Sequence, residues 1–280
     1  SELLPRSSKP LHISVSLKVI LFFSLLATII YFVIYNSIPL LSKKLSHKVP
    51  LSWSRSLGLW SSKAIHGNDK LCNNESGIKA LRKISDKLQD KANIDHEIHL
   101  YVLKHNKMNA FTTPSGYITI FSKTIEYATS EDEIAGILAH ELAHVKMKHP
   151  TESFIRSVSS YILLNIIFGN SGADNIALLA NSFNELKYSR ENEREADKLA
   201  LIILQESGFK SDGLMNFFLR IKKQNYNNKS LNEGLSYFST HPMIEERIEL
   251  IKNNSFPSQD KKHLSNQEWR ALKNICNDIP

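Results

Sequence analysis

No charged residue interrupts the chain between Lys18 and Lys43, a stretch of 24 positions whose centre, VILFFSLLATIIYFVIY, is almost wholly apolar. As a helix rising about 1.5 Å per residue it is roughly 36 Å long, enough to cross a hydrocarbon layer of about 30 Å. A core helix of a soluble domain keeps a polar face over such a length, and this one has none. Tyr31 and Tyr35 lie toward one end, where amphipathic rings suit the edge of a bilayer. The pattern predicts one transmembrane helix at 19–42, after a short basic flank at 1–18. No A-x-A-like site follows it, so an uncleaved signal anchor fits better than a removable signal peptide.

Residues 43–70 hold Pro50, Gly58 and Gly67 among scattered serines. They read as a juxtamembrane connector with a short amphipathic stretch from Trp53 to Trp60. From about Leu71 to the end at 280 the pattern is that of a folded domain. Ile78, Leu81, Ile84 and Leu88 recur at helical spacing between Gly77 and Asp90. Residues 98–104 and 117–121 are short, β-prone and bounded by turn formers, so they predict strands of a small sheet. After Ser130 the period becomes helical again: 131–148 opens with a Ser130 cap and Glu133 three residues on, a capping-box arrangement, and stops at Pro150. The apolar segment 154–168 is too short to span a membrane and predicts a buried or site-covering helix, with 154–180 as a candidate lid. Further helices are expected at about 175–206, 212–224, 243–252 and 266–275. The fold class is mainly α with a small antiparallel or mixed β-sheet, behind one membrane helix.

Charge sharpens this picture. Of the net +7, five charges fall within residues 1–48, where Arg6, Lys9, Lys18, Lys43, Lys44 and Lys48 face Glu2 alone. The remaining chain is nearly balanced and carries no nucleic-acid motif, so the expected partners are a membrane and a protein, not nucleic acid. Cations flank the apolar run on both sides, Arg55 included, and leave its orientation undecided. Cys72 and Cys276 lack C-x-x-C spacing and are not a zinc pair; they are a disulfide, implying an oxidising compartment, or two unrelated buried thiols.

The chemistry lies in His140-Glu141-Leu142-Ala143-His144. Four residues advance a helix by about 400°, so both imidazoles leave one face, one turn apart, and can share an ion. Two neutral imidazoles suit zinc, which with three protein ligands keeps a fourth position for water. Glu141 stands beside the first histidine, placed to take that water's proton and pass it to a leaving amine. Ile134, Ile137, Leu138, Leu142 and Val145 make the helix one that must be packed. A third ligand is needed, and SRENEREAD at 189–197 offers Glu193 and Asp197 one turn apart, with Glu191 and Glu195 pointing elsewhere. Glu193 is the expected ligand, and Asp197 the group that orients a ligating histidine through its other N–H. Continued helix geometry puts His149 about 900° on from His140, opposite the ligand face, so it receives no metal role.

HELAH, ENEREAD and STHPMIEERI at 239–248 occur in that order over about residues 71–276, and together they resemble a family of zinc metallopeptidases. That family includes the bacterial membrane protease HtpX, the CAAX prenyl-protein endopeptidase, a mitochondrial stress-activated inner-membrane peptidase and periplasmic BepA-type proteases. The resemblance implies an α+β zincin-like fold, one Zn2+ per chain held by His140, His144 and Glu193, and Asp197 in support. The stretch NAFTTPSGYITIF at 109–121 is similar to a family segment forming an edge strand beside the cleft. This makes Asn109, Ala110 and Phe111 the expected binding edge for a polypeptide substrate added as a strand. Thr112, Thr113 and Ser115 depart from the residues commoner there.

His241 resembles a family histidine near the metal, which stabilises an oxyanion or fills the open site at rest; a capping histidine before the 243–252 helix fits as well. Arg247, one turn on, is expected to be an anion partner, with Asp197 a candidate. WRALKNIC at 269–276 and Cys72 resemble features of single-anchor members from Gram-negative bacteria, implying a Cys72–Cys276 bridge. The implied place is the inner membrane, crossed once, with the catalytic domain in the periplasm. The function implied is a membrane-anchored zinc endopeptidase in envelope protein quality control. A zinc-containing chaperone or assembly factor with little or latent proteolysis is the alternative.

Overall fold

The computed structural model describes residues 15–67, 70–168, 188–227, 240–257 and 261–277. In chain order these form α1 (Val15–Ser46), α2 (Leu51–His66), α3 (Glu75–Ala92), β1 (His99–Leu103), β2 (Ala110–Thr113), β3 (Tyr117–Phe121), α4 (Ser122–Tyr127), α5 (Glu131–Lys146), α6 (His149–Phe168), α7 (Arg190–Ser207), α8 (Asp212–Asn227), α9 (Ile244–Asn253) and α10 (Asn266–Lys273). The architecture is mainly helical with one small mixed sheet, as the patterning predicts. Residues 175–187 of one expected helix and 169–180 of the candidate lid lie outside the described residues.

Contacts divide the chain into two units between Leu41 and Ser42. The first is the apolar part of α1, whose Ile20, Phe22, Phe23 and Phe32 side chains are each more than half exposed. Leu17–Ser46 is long and apolar enough to cross a membrane. The helix thus runs a turn beyond the expected end at 42.

In the second unit, the expected connector contains a regular helix of 16 residues, α2. The expected amphipathic stretch from Trp53 to Trp60 lies within it, but its full extent was hidden because the face it buries is Ser54, Gly58, Ser61 and Ser62 and not an apolar stripe. The sheet has the order β1–β3–β2, with β1 parallel and β2 antiparallel to β3. The turn between β2 and β3 takes Ser115 and Gly116 through φ of 66° and 81°, the left-handed region that favours glycine.

Helix α5 is the axis of this unit. Every residue from Glu133 to Val145 is buried, because α3, α7, α8 and the sheet pack around it. At Gly136 the α8 backbone comes so close that a Cβ would lie 2.7 Å from Leu214 N. Ser130 caps the helix, its Oγ accepting from Glu133 N at 3.3 Å. Glu133 does not complete a capping box, since its carboxylate accepts from Thr129 N and Oγ1, both at 2.9 Å, and from Arg220. Cys72 and Cys276 are joined in a disulfide that ties the chain before α3 to the chain after α10, with Cα atoms 4.9 Å apart.

Candidate metal centre

His140 and His144 project one turn apart from the buried face of α5, as their spacing requires. They meet α7, started by Ser189, whose Oγ accepts from Asn192 N at 3.1 Å and which stands in extended backbone. One turn into α7, Glu193 and Asp197 share the face packed on α5. His241 arrives from the segment before α9, where Met243 at φ 69° turns the chain into the helix. All five side chains are buried.

His140, His144, Glu193 and His241 each present one potential ligand atom, and these atoms lie within 4.8 Å of one another. His140 Nε2 is 3.0 Å from His144 Nε2 and 3.2 Å from His241 Nδ1. Glu193 Oε2 is 3.4 Å from His140 Nε2, and Oε1 is 3.5 Å from His144 Nε2. Proton placement shows what the cluster suits. His140 Nδ1 lies 2.9 Å from Asp197 Oδ1, and a neutral imidazole donating there turns a lone pair on Nε2 toward the cluster. His241 Nε2 lies 3.2 Å from the Ala110 carbonyl, and donation there leaves the lone pair of Nδ1 facing inward. Lone pairs and a carboxylate converging in a buried space are a donor set for a borderline cation such as zinc. Both oxygens of Glu141 are buried and accept no hydrogen bond among the described residues, although Oε1 lies 3.4 Å from His241 Nε2.

The electrostatics are those of a tightly coupled group. Burial and the Arg247 charge disfavour protonation of His140, but hydrogen bonds to Asp197 and Glu193 outweigh them and push its pKa up to about 9, so an ion taking Nε2 would displace a proton from it. Burial, then the charge of His140, holds His144 well below the usual range. Burial alone would raise Glu193, yet Arg247, His241 and His140 keep it well below, so it is a carboxylate. Glu141 is raised by burial, which strengthens it as a base.

Around these groups stands a second layer. Arg247, on the first turn of α9, bonds Asp197 through Nε and Nη2, both at 2.8 Å, and lies 3.0 Å from Glu193 Oε2 through Nη1. Asp197 is the partner that the sequence offers as a candidate for Arg247. His149 lies beside His144, its Nδ1 3.0 Å from His144 Nδ1, and not opposite the ligand face, while the group of potential ligands does not include it. Extrapolating one helix to His149 fails because α5 ends at Lys146 and Lys148 takes φ 59° before α6 begins. His149 Nε2 is 3.2 Å from Glu195 Oε2, and Glu195 Oε1 accepts from Lys43 Nζ at 2.7 Å. Glu195, expected to point away, therefore takes part. The Lys148-His149-Pro150 breaker was the signal for the changed direction.

Tyr188 is a residue the sequence did not flag. Its ring stacks on His144 with centroids 3.8 Å apart, and its hydroxyl donates to the Thr112 carbonyl at 3.2 Å. That contact bears on the expected substrate edge. Phe121 N donates to the Asn109 carbonyl at 2.9 Å, and hydrogen-bonded pairs alternate along an antiparallel ladder. The carbonyls of Ala110 and Thr112 thus point away from β3, to the open edge of β2, and His241 and Tyr188 occupy them. Asn109 Oδ1 accepts from Thr240 Oγ1 at 3.2 Å, and Phe111 is half-buried in an edge-on contact with Phe121 at 5.9 Å.

A beta-barrel assembly-enhancing protease of Yersinia pestis is 24% identical over 187 residues, covering 62% of this chain and 38% of that protein. The mitochondrial metalloendopeptidase OMA1 of Schizosaccharomyces pombe is 27% identical over 186 residues, covering 65% and 54%. That of Saccharomyces cerevisiae is 31% identical over 161 residues, covering 56% and 46%. The match thus takes in between 38% and 54% of the length of these relatives. Residues 77–255, from the first turn of α3 through α9 and including every residue of the cluster, match Peptidase family M48. The chain belongs to this family of metallopeptidases.

Proposed function

We propose that the chain is a membrane-anchored zinc endopeptidase in which His140, His144 and Glu193 hold one ion and Glu141 is the general base. The Glu141 carboxylate carries this reading. Both its oxygens are buried and accept no hydrogen bond among the described residues, an arrangement that costs a fold about 1–3 kcal/mol, and Oε1 lies 3.4 Å from the His241 imidazole Nε2. His140, His144 and Glu193 would hold the zinc, which would supply Lewis-acid polarisation of a scissile carbonyl and a more acidic water. Glu141 takes the proton of the attacking water and delivers it to the leaving amine, and its burial-raised pKa suits both transfers. Asp197 fixes His140 in the tautomer that turns Nε2 inward, and Arg247 keeps Asp197 ionised.

The substrate is an extended polypeptide added to the edge of β2, along Asn109, Ala110 and Phe111, through the outward carbonyls of Ala110 and Thr112. His241 and Tyr188 hold those carbonyls, so a peptide must displace both. Of the roles expected for His241, a resting ligand fits better, since its Nδ1 lies 3.2 Å from Glu193 Oε1 among the atoms that would hold the ion. The closed edge also favours a second reading, a chaperone or assembly factor with latent proteolysis; the intact Glu141 speaks for cleavage.

Helix α1 is the anchor, and the Cys72–Cys276 bridge favours an oxidising space such as the periplasm over the cytoplasm. Envelope protein quality control at a bacterial inner membrane is the setting these features support. Metal analysis of the purified full chain tests the centre: one zinc per chain in the wild type, lost in His144→Ala with helix content retained. Equal zinc in both would remove His144 from the site.

A further inference from the structure

Helix α2 is built with its polarity reversed. Its inward face, Ser54, Gly58, Ser61 and Ser62, is buried against the β2–β3 hairpin. Thr113 Oγ1 donates to the Gly58 carbonyl at 3.2 Å, and His66 Nε2 lies 2.9 Å from Thr119 Oγ1. Gly58 is needed for this approach, because a Cβ would collide with the Pro114 carbonyl oxygen. The large apolar side chains point the other way: Trp53 is 71% exposed, and Leu59 and Trp60 are each 40% exposed. At about 100° per residue Trp53 and Trp60 project within roughly 20° of each other, and Lys63 falls between Leu59 and Trp60. No acidic residue occurs in α2, which also carries Arg55.

A helix whose outward face holds two tryptophans, a leucine and a lysine suits the boundary between lipid headgroups and acyl chains. Position in the chain supports that partner. The candidate membrane span ends at Ser46, and α2 begins five residues later at Leu51. The link is a tight turn, with Lys48 N and Val49 N both donating to the Leu45 carbonyl at 2.9 and 3.1 Å. Lys44 and Lys48 in this stretch add positive charge, while Lys43 is paired with Glu195 at 2.7 Å.

We infer that α2 is a second membrane contact, lying along the surface of an anionic phospholipid bilayer with Trp53, Leu59 and Trp60 in the headgroup boundary and Lys63 among the phosphates. This rests on the reading of α1 as the anchor. Because α2 packs on β2 and β3, the contact holds the peptide-binding edge at a set height above the lipid, which favours polypeptide segments presented at the membrane surface.

The chain has three tryptophans, Trp53, Trp60 and Trp269. The full-length chain is placed in nanodiscs of anionic phospholipid brominated near the headgroup end of the acyl chains. Three single-tryptophan forms are compared: Trp60→Phe with Trp269→Phe, Trp53→Phe with Trp269→Phe, and Trp53→Phe with Trp60→Phe. Bromine is expected to quench Trp53 and Trp60 by a similar factor and to leave Trp269 unchanged, with weaker quenching in zwitterionic discs. Along α2, Trp60 stands about 10 Å beyond Trp53, so a helix leaving the surface would quench Trp53 alone and overturn the proposal. Co-elution with the discs while both tryptophans stay bright overturns the interfacial contact but not the anchor. Failure to co-elute overturns the anchor and the proposal together.

Discussion

Arg247 grips Asp197 from two directions, Nε to Oδ2 and Nη2 to Oδ1, each at 2.8 Å, and both side chains are buried. The pair stands between α9 and the metal cluster, and its value is in what is left when one partner goes. Arg247→Met strands a buried carboxylate beside Glu193, a loss of about 3–5 kcal/mol, and zinc affinity falls roughly 10–100-fold. Adding Asp197→Asn restores part of the stability by removing the stranded charge. Thermal unfolding of the single and double variants checks this; an Arg247→Met protein as stable as the wild type would contradict it.

Tyr188→Phe removes the hydroxyl from the Thr112 carbonyl and keeps the ring on His144. If a peptide must take that carbonyl, the competitor's loss lowers KM about 2–10-fold, the worth of one hydrogen bond, with kcat little changed. Peptide hydrolysis at varied substrate concentration reads the two parameters separately. A KM that stays the same or rises would show that the edge is not the binding strand.

Much of the site was legible because it depends on local spacing. Four-residue steps within one helix bring His140 to His144 and Glu193 to Asp197, and no distant information is needed. The residues missed depend on where the chain goes next. His149 was misplaced by carrying α5 through Lys148, whose left-handed backbone turns the helix. Tyr188 meets Thr112 from 76 positions away, and nothing in its neighbourhood marks that contact. The amphipathic stretch from Trp53 to Trp60 was legible, but not that helix α2 runs from Leu51 to His66 and buries a serine and glycine face, which lacks the periodic signal of an apolar stripe. The parallel pairing of β1 with β3 was hidden likewise, since β2 alone intervenes in sequence.

The disulfide closes a separation of 204 residues, so its removal releases a long loop in the unfolded chain. Cys72→Ser with Cys276→Ser is expected to cost about 2–5 kcal/mol, read as a lower denaturant midpoint. An unchanged midpoint would mean that the bridge adds nothing to the fold.

Glu268 caps α10, accepting from Ser265 N at 2.7 Å, and its other oxygen accepts from Lys83 Nζ at 2.7 Å. The Lys83 hydrogen bond, then those from Ser265, hold its pKa down to about 2 against an ordinary 4.5. A folded-state pKa below the unfolded value gives stability that is present above the unfolded value and lost as pH falls toward the folded one. The difference in Tm between wild type and Glu268→Gln is therefore full near neutral pH and shrinks as pH drops from about 4.5 toward 2. A difference independent of pH would assign the effect to packing.

The central claim is that Glu141 moves the proton while its neighbours hold the ion. The most direct measurement compares wild type and Glu141→Gln for casein hydrolysis and zinc content on the same preparations. The expected result is one zinc per chain in both, with hydrolysis reduced by about 10²–10⁴-fold in the variant. Zinc retained together with hydrolysis close to the wild-type rate would contradict the account.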